Sequence, residues 1–151
     1  MLKIKLICVG KLHYKELYET SKRFENMLSR FVKLEIIEIQ ESQKPFPKNL
    51  EEEKQNIIRY IKDEYVILTD KNGKEMSSEE FAMLIKNLLD TGKNITFIIG
   101  GHQGVSEKIY EKVNTTISFS KMTFGHNIFR IMLLEQIYRS FSIIFGTEYH
   151  K

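Results

Sequence analysis

The chain has 151 residues and a mass of 17.9 kDa, the length of one globular domain. Hydrophobic residues make up 42% and charged residues 28%, which supports a sizeable core and excludes an intrinsically disordered chain. One cysteine, Cys8, excludes both an internal disulfide and a cysteine-rich zinc module.

No apolar run reaches the roughly 18 residues of a membrane span. The segment Met1–Gly10 alternates lysines with aliphatics, where a signal peptide needs an unbroken apolar centre. These features lead us to expect a soluble cytoplasmic protein. The net charge is only +3, but residues 1–111 hold 18 basic and 18 acidic side chains, which cancel. The whole excess therefore sits at the C-terminal end, with Arg130, Arg139 and Lys151 among its sources. An excess this small is also compatible with chance.

In chain order, Leu2–Val9 is aliphatic, ends at Gly10 and predicts a first strand. Tyr14, Leu17, Ser21, Phe24, Leu28 and Phe31 then recur at helical spacing. Leu34–Ile39 predicts a second strand, and Pro45 and Pro47 mark a loop. Leu50–Ile61 suits a second helix with a charged outer face, and Tyr65–Thr69 a third strand. Asp70-Lys71-Asn72-Gly73 reads as a turn. It is not a calcium loop, because Glu75 and Phe81 stand where that loop needs Gly and Glu. Ser77-x-x-Glu80 is a capping box, with Met76 and Phe81 as a hydrophobic staple, and it opens a helix closed by Gly92. Ile95–Ile99 is a continuous apolar strand, as expected of one buried on both faces. A glycine loop, Gly100–Gly104, precedes a short helix through Ile109, and Thr115–Phe119 is a fifth strand. A long helix, His126–Phe145, stops at Gly146 and leaves the tail Thr147–Lys151. Strands alternating with helices predict an α/β domain with a parallel sheet covered on both faces.

Ligands of such sheets bind beyond the carboxyl ends of the strands. Three strand ends are therefore candidates: Leu68–Gly73, Gly100–Gly104 and Phe119–Phe124. Adjacent glycines let a ligand approach the backbone, although the loop matches neither a P-loop nor a dinucleotide fingerprint. It is either a plain turn or an unusual nucleotide-like pocket, with His102 as a candidate ligand contact. His13 reads as a surface residue and Cys8 as core. The last helix is apolar around nearly its whole circumference. Either it is central to one monomer, or one face packs on the sheet and the other on a second subunit. The tail Glu148-Tyr149-His150-Lys151 is either solvated filler or a group that stacks, moves a proton and contacts phosphate.

Several motifs in fixed order add to this. They are Ile98-Ile99-Gly100-Gly101-x-x-Gly104, Ser118-Phe119-Ser120-Lys121-Met122-Thr123-Phe124, His126, Arg130, Leu134-Glu135-Gln136-x-Tyr138-Arg139 and the final Tyr149-His150-Lys151. Together with the opening Lys3-Ile4-x-Leu6-x-x-Val9-Gly10-Lys11, they resemble the 23S rRNA pseudouridine N3-methyltransferases, the ribosomal large subunit methyltransferase H family. The resemblance spans the chain and implies a single SPOUT-type α/β-knot domain over residues 1–151, with a C-terminal trefoil knot. It implies a homodimer built largely on the last helix, 23S rRNA within the ribosome as substrate, and S-adenosylmethionine as cofactor with no metal. The cofactor site it implies is Thr69, Gly100, Phe119, Ser120, Lys121, Met122, Thr123 and Phe124. From the basic C-terminal end and this motif match we expect Arg139 to stabilise negative charge on the base edge, His150 to assist proton removal and Tyr149 to help shape the pocket. The chain departs from the family at Thr69, where Leu is usual, and at Gly125, where Pro is usual. A non-catalytic RNA-binding dimer and a tRNA methyltransferase of the same fold are the alternative readings.

Overall fold

The computed structural model describes residues 1–151. Its elements are β1 (Lys3–Val9), α1 (Lys15–Leu28), β2 (Lys33–Ile39), α2 (Lys48–Ile58), β3 (Tyr65–Glu75), α3 (Ser78–Asp90), β4 (Ile95–Ile99), β5 (Thr115–Ser118) and α4 (His126–Phe145). A short 3₁₀ helix, Glu107–Lys112, joins β4 to β5. The five strands form one sheet in the order β2-β1-β4-β3-β5, and every pairing is parallel.

The period-2 geometry of a strand explains how both faces are covered. Ile4, Leu6 and Cys8 of β1 point to one side with Phe97 and Ile67, where Leu28, Phe81, Ile85, Leu134, Ile137 and Phe141 of α1, α3 and α4 cover them. Ile7 and Val9 point to the other side with Leu68 and Ile98, under Ile57 of α2 and Ile109. Truncating a ring such as Phe97, which is fully buried, costs about 3–5 kcal/mol. The Ser77 hydroxyl accepts from the Glu80 amide while the Glu80 carboxylate accepts from the Ser77 amide, so the predicted capping box forms.

Two local expectations change. The Asp70–Gly73 segment is not a free turn. β3 runs on to Glu75, and its register against β5 shifts between Thr69 and Lys74, so Ile117 faces both. This is a bulge, and Gly73 permits it, because a Cβ there would lie 2.7 Å from the Ile117 carbonyl carbon. The fifth strand ends at Ser118, which leaves Phe119 at the start of the following loop.

α4 lies between α1 and α3 on the sheet. Its buried stripe includes Arg130, Leu133, Leu134, Ile137 and Phe141. Its opposite stripe, Ile128, Ile131, Met132, Glu135 and Gln136, lines an open groove of about 490 Å³ with Leu17, Met76 and Phe119. Ile128 keeps 54% of its surface exposed. The helix is therefore buried on one side only within the chain. No helix is long and apolar enough to cross a membrane.

Candidate active site

The strand order makes β4, β3 and β5 neighbours, so the loops leaving their carboxyl ends converge. They enclose a pocket of about 600 Å³, within the size range of small-molecule sites. Seven of the eight residues expected from sequence line it: Thr69, Gly100, Phe119, Ser120, Met122, Thr123 and Phe124. Lys121 does not line the pocket and is exposed.

Each wall has a local cause. A Cβ on Gly100 would come within 2.8 Å of the Gly104 carbonyl oxygen, so the loop can close only on glycine. Gly104 donates its amide to the Gly101 carbonyl at 3.0 Å and adopts φ +80°. From α2, Asn49 donates to the Gln103 side-chain oxygen at 2.7 Å and braces the same loop. Thr69 donates its hydroxyl to the Ile98 carbonyl at 2.8 Å, so its polar side chain is satisfied at the pocket wall. Beyond β5, the Ser118 hydroxyl accepts the Ser120 amide at 3.2 Å and the Ser120 hydroxyl accepts the Met122 amide at 3.0 Å. The Phe119 ring packs 4.8 Å from Phe129 and 6.2 Å from Phe81.

Asp70, Lys71 and Asn72, on the strand end Leu68–Gly73 expected from sequence, also line the pocket, as do His126 and Phe129, which sequence reasoning missed. The bulge in β3 turns the first three toward it. Asp70 accepts a hydrogen bond from the Tyr110 hydroxyl, and burial together with that carboxylate pushes the phenol up to about 12.

At the start of α4, a junction fixes where the Phe119–Gly125 loop ends. Arg130 is 3% exposed and donates to Glu38 at 2.7 Å and to the Gly10 carbonyl at 2.9 Å. Asn127 donates to the Lys11 carbonyl and accepts the His13 amide, as α4 clasps the loop after β1. His126 Nε2 is buried without a hydrogen-bond partner, with the Glu41 carboxylate 3.5 Å away. Burial lowers the His126 pKa. The Glu41 charge opposes this, and His13, His102 and Arg130 add to it. Cys8 is buried as expected. Desolvation raises its thiol to about 12 despite Arg130, so it is inert.

Arg139, Tyr149 and His150 form a second cluster, centred on Glu135, and none of the three lines the pocket. Arg139 donates to Glu135 at 2.6 Å, one helical turn away. Tyr149 donates its hydroxyl to the same carboxylate oxygen at 2.7 Å, and the guanidinium sits 5.0 Å from the Tyr149 ring centre. His150 places Nδ1 3.1 Å from Arg139 and Nε2 2.9 Å from Glu79 of α3. Its amide donates to the Ser142 hydroxyl at 3.1 Å, so the tail is docked rather than frayed. Burial works against the Glu135 charge, but the hydrogen bonds from Arg139 and Tyr149 hold its carboxyl below the usual range. Burial, then Glu135, pushes the Tyr149 phenol up to about 12. The two clusters thus occupy different parts of one chain. Glu79, a member of the second, gives no signal in sequence beyond its place in a first helical turn.

Residues 2–150 match the family described as "Predicted SPOUT methyltransferase". The chain belongs to the SPOUT methyltransferase family. Its similarity to the ribosomal RNA large subunit methyltransferase H of Caldicellulosiruptor saccharolyticus is 43% identity, covering 98% of this chain and 99% of that one. The protein of the same name from Clostridium beijerinckii is 44% identical, covering 99% of this chain and 100% of that one. Among solved structures, the SPOUT chain superposes on the tRNA (m1G37) methyltransferase of Aquifex aeolicus with a TM-score of 0.56 at 16% identity, covering 91% of this chain and 69% of that one. A probable methylase family protein of Haemophilus influenzae gives a TM-score of 0.53 at 12% identity, with 95% and 66% covered. At these identities the structural likeness concerns the fold. In this SPOUT chain the pocket lies at the carboxyl edge of the sheet, where the glycine loop and the Phe119–Gly125 loop meet.

Proposed function

We propose that this chain methylates ribosomal RNA with S-adenosylmethionine as donor. The target is N3 of a pseudouridine in 23S rRNA of the assembled ribosome, and residues 1–151 act as one methyltransferase domain in the cytoplasm. The observation that carries the reading is the convergence of three strand-end loops on one pocket, in a chain whose relatives at 43–44% identity are named as large-subunit rRNA methyltransferases.

The pocket suits the donor in size and character. It has backbone exposed at Gly100, Gly101 and Gly125, aromatic walls at Phe119 and Phe129, and a volume of about 600 Å³. Thr69, Gly100, Phe119, Ser120, Met122, Thr123 and Phe124 hold the donor there, and Lys121 contributes from the rim. When bound, the donor supplies an electrophilic methyl group on a sulfonium. The chain's own task is then to orient the base, exclude water and handle the imide proton. Arg139 meets negative charge on the base edge, His150 receives the proton, and Tyr149 shapes the space between them.

The separation of pocket and tail cluster supports a homodimer, in which one subunit's tail completes the other's pocket. The open apolar stripe Ile128, Ile131 and Met132 on α4 supplies the contact surface. In this reading, the passage from β5 through the Phe119–Gly125 loop into α4 forms the trefoil knot. Mass-spectrometric mapping of 23S rRNA, from ribosomes incubated with chain and donor, tests the activity. A new methyl group on one pseudouridine is expected. Donor binding without any new methyl group on rRNA or tRNA would favour a binding module, and methylation confined to tRNA would replace the substrate.

A further inference from the structure

The tail cluster fixes where the ring proton of His150 must lie. A guanidinium only donates hydrogen bonds, and Arg139 Nη1 stands 3.1 Å from His150 Nδ1. Nδ1 therefore presents its lone pair, and the ring proton belongs on Nε2. That nitrogen stands 2.9 Å from the Glu79 carboxylate, which accepts it. Turning the ring over would set carbons against both partners and lose both bonds. The His150 amide bond to Ser142 holds the residue in place independently of the ring.

We propose that Glu79 is a positioning residue for the reaction: it holds His150 as the Nε2–H tautomer and keeps the Nδ1 lone pair as the proton acceptor. The inference rests on the methyltransferase reading above. In the resting chain that lone pair is occupied by Arg139, so His150 is not yet a base. When Arg139 turns to a carbonyl oxygen on the edge of the RNA base, where negative charge develops as the proton leaves, Nδ1 is released. The N3–H bond then breaks, the proton bonds to Nδ1, and the electron pair stays on N3 as the nucleophile. The imidazolium that results already has its Nε2–H on a carboxylate, the arrangement that stabilises a protonated histidine.

The charged groups facing His150 are Glu79 from α3 and Arg139 and Glu135 from α4, with the Tyr149 phenol beside it in the tail. Only Glu79 bonds Nε2. Its side chain is 63% exposed, so replacing it leaves the core intact. Ser77 and Glu80 form the cap of α3 without it.

The test uses the full chain with ¹⁵N-labelled histidine, as wild type, Glu79→Asp, Glu79→Gln, Arg139→Met and the double variant Glu79→Gln, Arg139→Met. Wild type, Glu79→Asp and Arg139→Met should show a protonated Nε2 and a bare Nδ1 for His150, whereas the double variant, in which neither the guanidinium nor the carboxylate fixes the ring, should show a mixture of tautomers. In rRNA methylation, Glu79→Gln should lower kcat roughly 10-fold, leave KM for the donor within about twofold and move the acid limb of the rate–pH profile to lower pH. Glu79→Asp should restore most of the rate. A protonated Nδ1 in wild type, a wild-type tautomer in the double variant, or a Glu79→Gln chain with an unchanged pH profile overturns the inference. A wild-type chain with the expected tautomer but no methylation of any RNA overturns the methyltransferase reading and leaves the tautomer assignment standing.

Discussion

The pocket and the tail cluster are built from opposite materials. The pocket is made of loop backbone on the rigid ends of β3, β4 and β5, and its shape depends on small residues such as Gly100 and on short serine turns. The tail cluster is made of long ionic side chains on the surface of α4, held by the carboxylates Glu135 and Glu79. One region is preorganised by sterics and the other by charge. Each should therefore fail in its own way, and substitutions can separate them.

The largest effect is expected at Arg139. Arg139→Met removes the guanidinium proposed to meet charge on the base and should lower kcat by roughly 10²–10³-fold, with affinity for the methyl donor within about twofold of wild type by calorimetry. A matching loss of donor affinity would break the contrast between the two regions. Gly100→Val should do the reverse. Its Cβ would meet Gly104 and Val105 at 2.8 Å, so the loop must open. Overpacking of this kind costs about 1–3 kcal/mol, which should appear as roughly 10–100-fold weaker donor binding, with the tail cluster undisturbed in NMR spectra.

A smaller effect concerns pH. The folded chain lowers the His126 pKa, chiefly by burial, so it holds fewer protons there than the unfolded chain. The corresponding stability is complete above the unfolded value, about 6.5, and is lost as pH falls through the lower folded value. Urea midpoints should therefore fall on acidification from pH 7.5, and His126→Gln should flatten that slope. A midpoint that rises on acidification would refute the assignment. The smallest effect is at Gly125, whose φ of −56° suits proline and whose Cβ would meet nothing within 4 Å. Gly125→Pro should stabilise the chain by about 0.4–1 kcal/mol, measured by denaturation, by restricting the unfolded state.

The same contrast explains what was legible in the sequence. Strand runs such as Ile95–Ile99 and the capping box at Ser77 are local patterns, and they appear where expected. β3 was read too short because Asp70-Lys71-Asn72-Gly73 has the composition of a turn. The bulge exists only because β5 pairs on both sides of it, a relation between residues more than 40 apart in sequence. The pocket was legible because parallel sheets bind at strand ends and because the glycine loop, the Phe119–Phe124 run and Thr69 belong to a recognised motif set. Asp70–Asn72 lay on a strand end already expected to bind, though as a turn rather than a bulge, while His126 escaped, since its approach follows from the clasp of Arg130 on Gly10. In the tail, the Glu135–Arg139 pair could be read from helical spacing. The Glu79–His150 bond joins residues 71 apart and has no sequence signal.

The central claim is that a pocket on one subunit works with the tail cluster of the other. Mixing two inactive variants tests it most directly. Gly100→Val keeps the tail and damages the pocket, whereas Arg139→Met keeps the pocket and damages the tail. Mixed dimers, purified with two different tags, should regain rRNA methylation through one intact composite site per dimer. Mixed dimers that form but remain as inactive as either parent would contradict the claim.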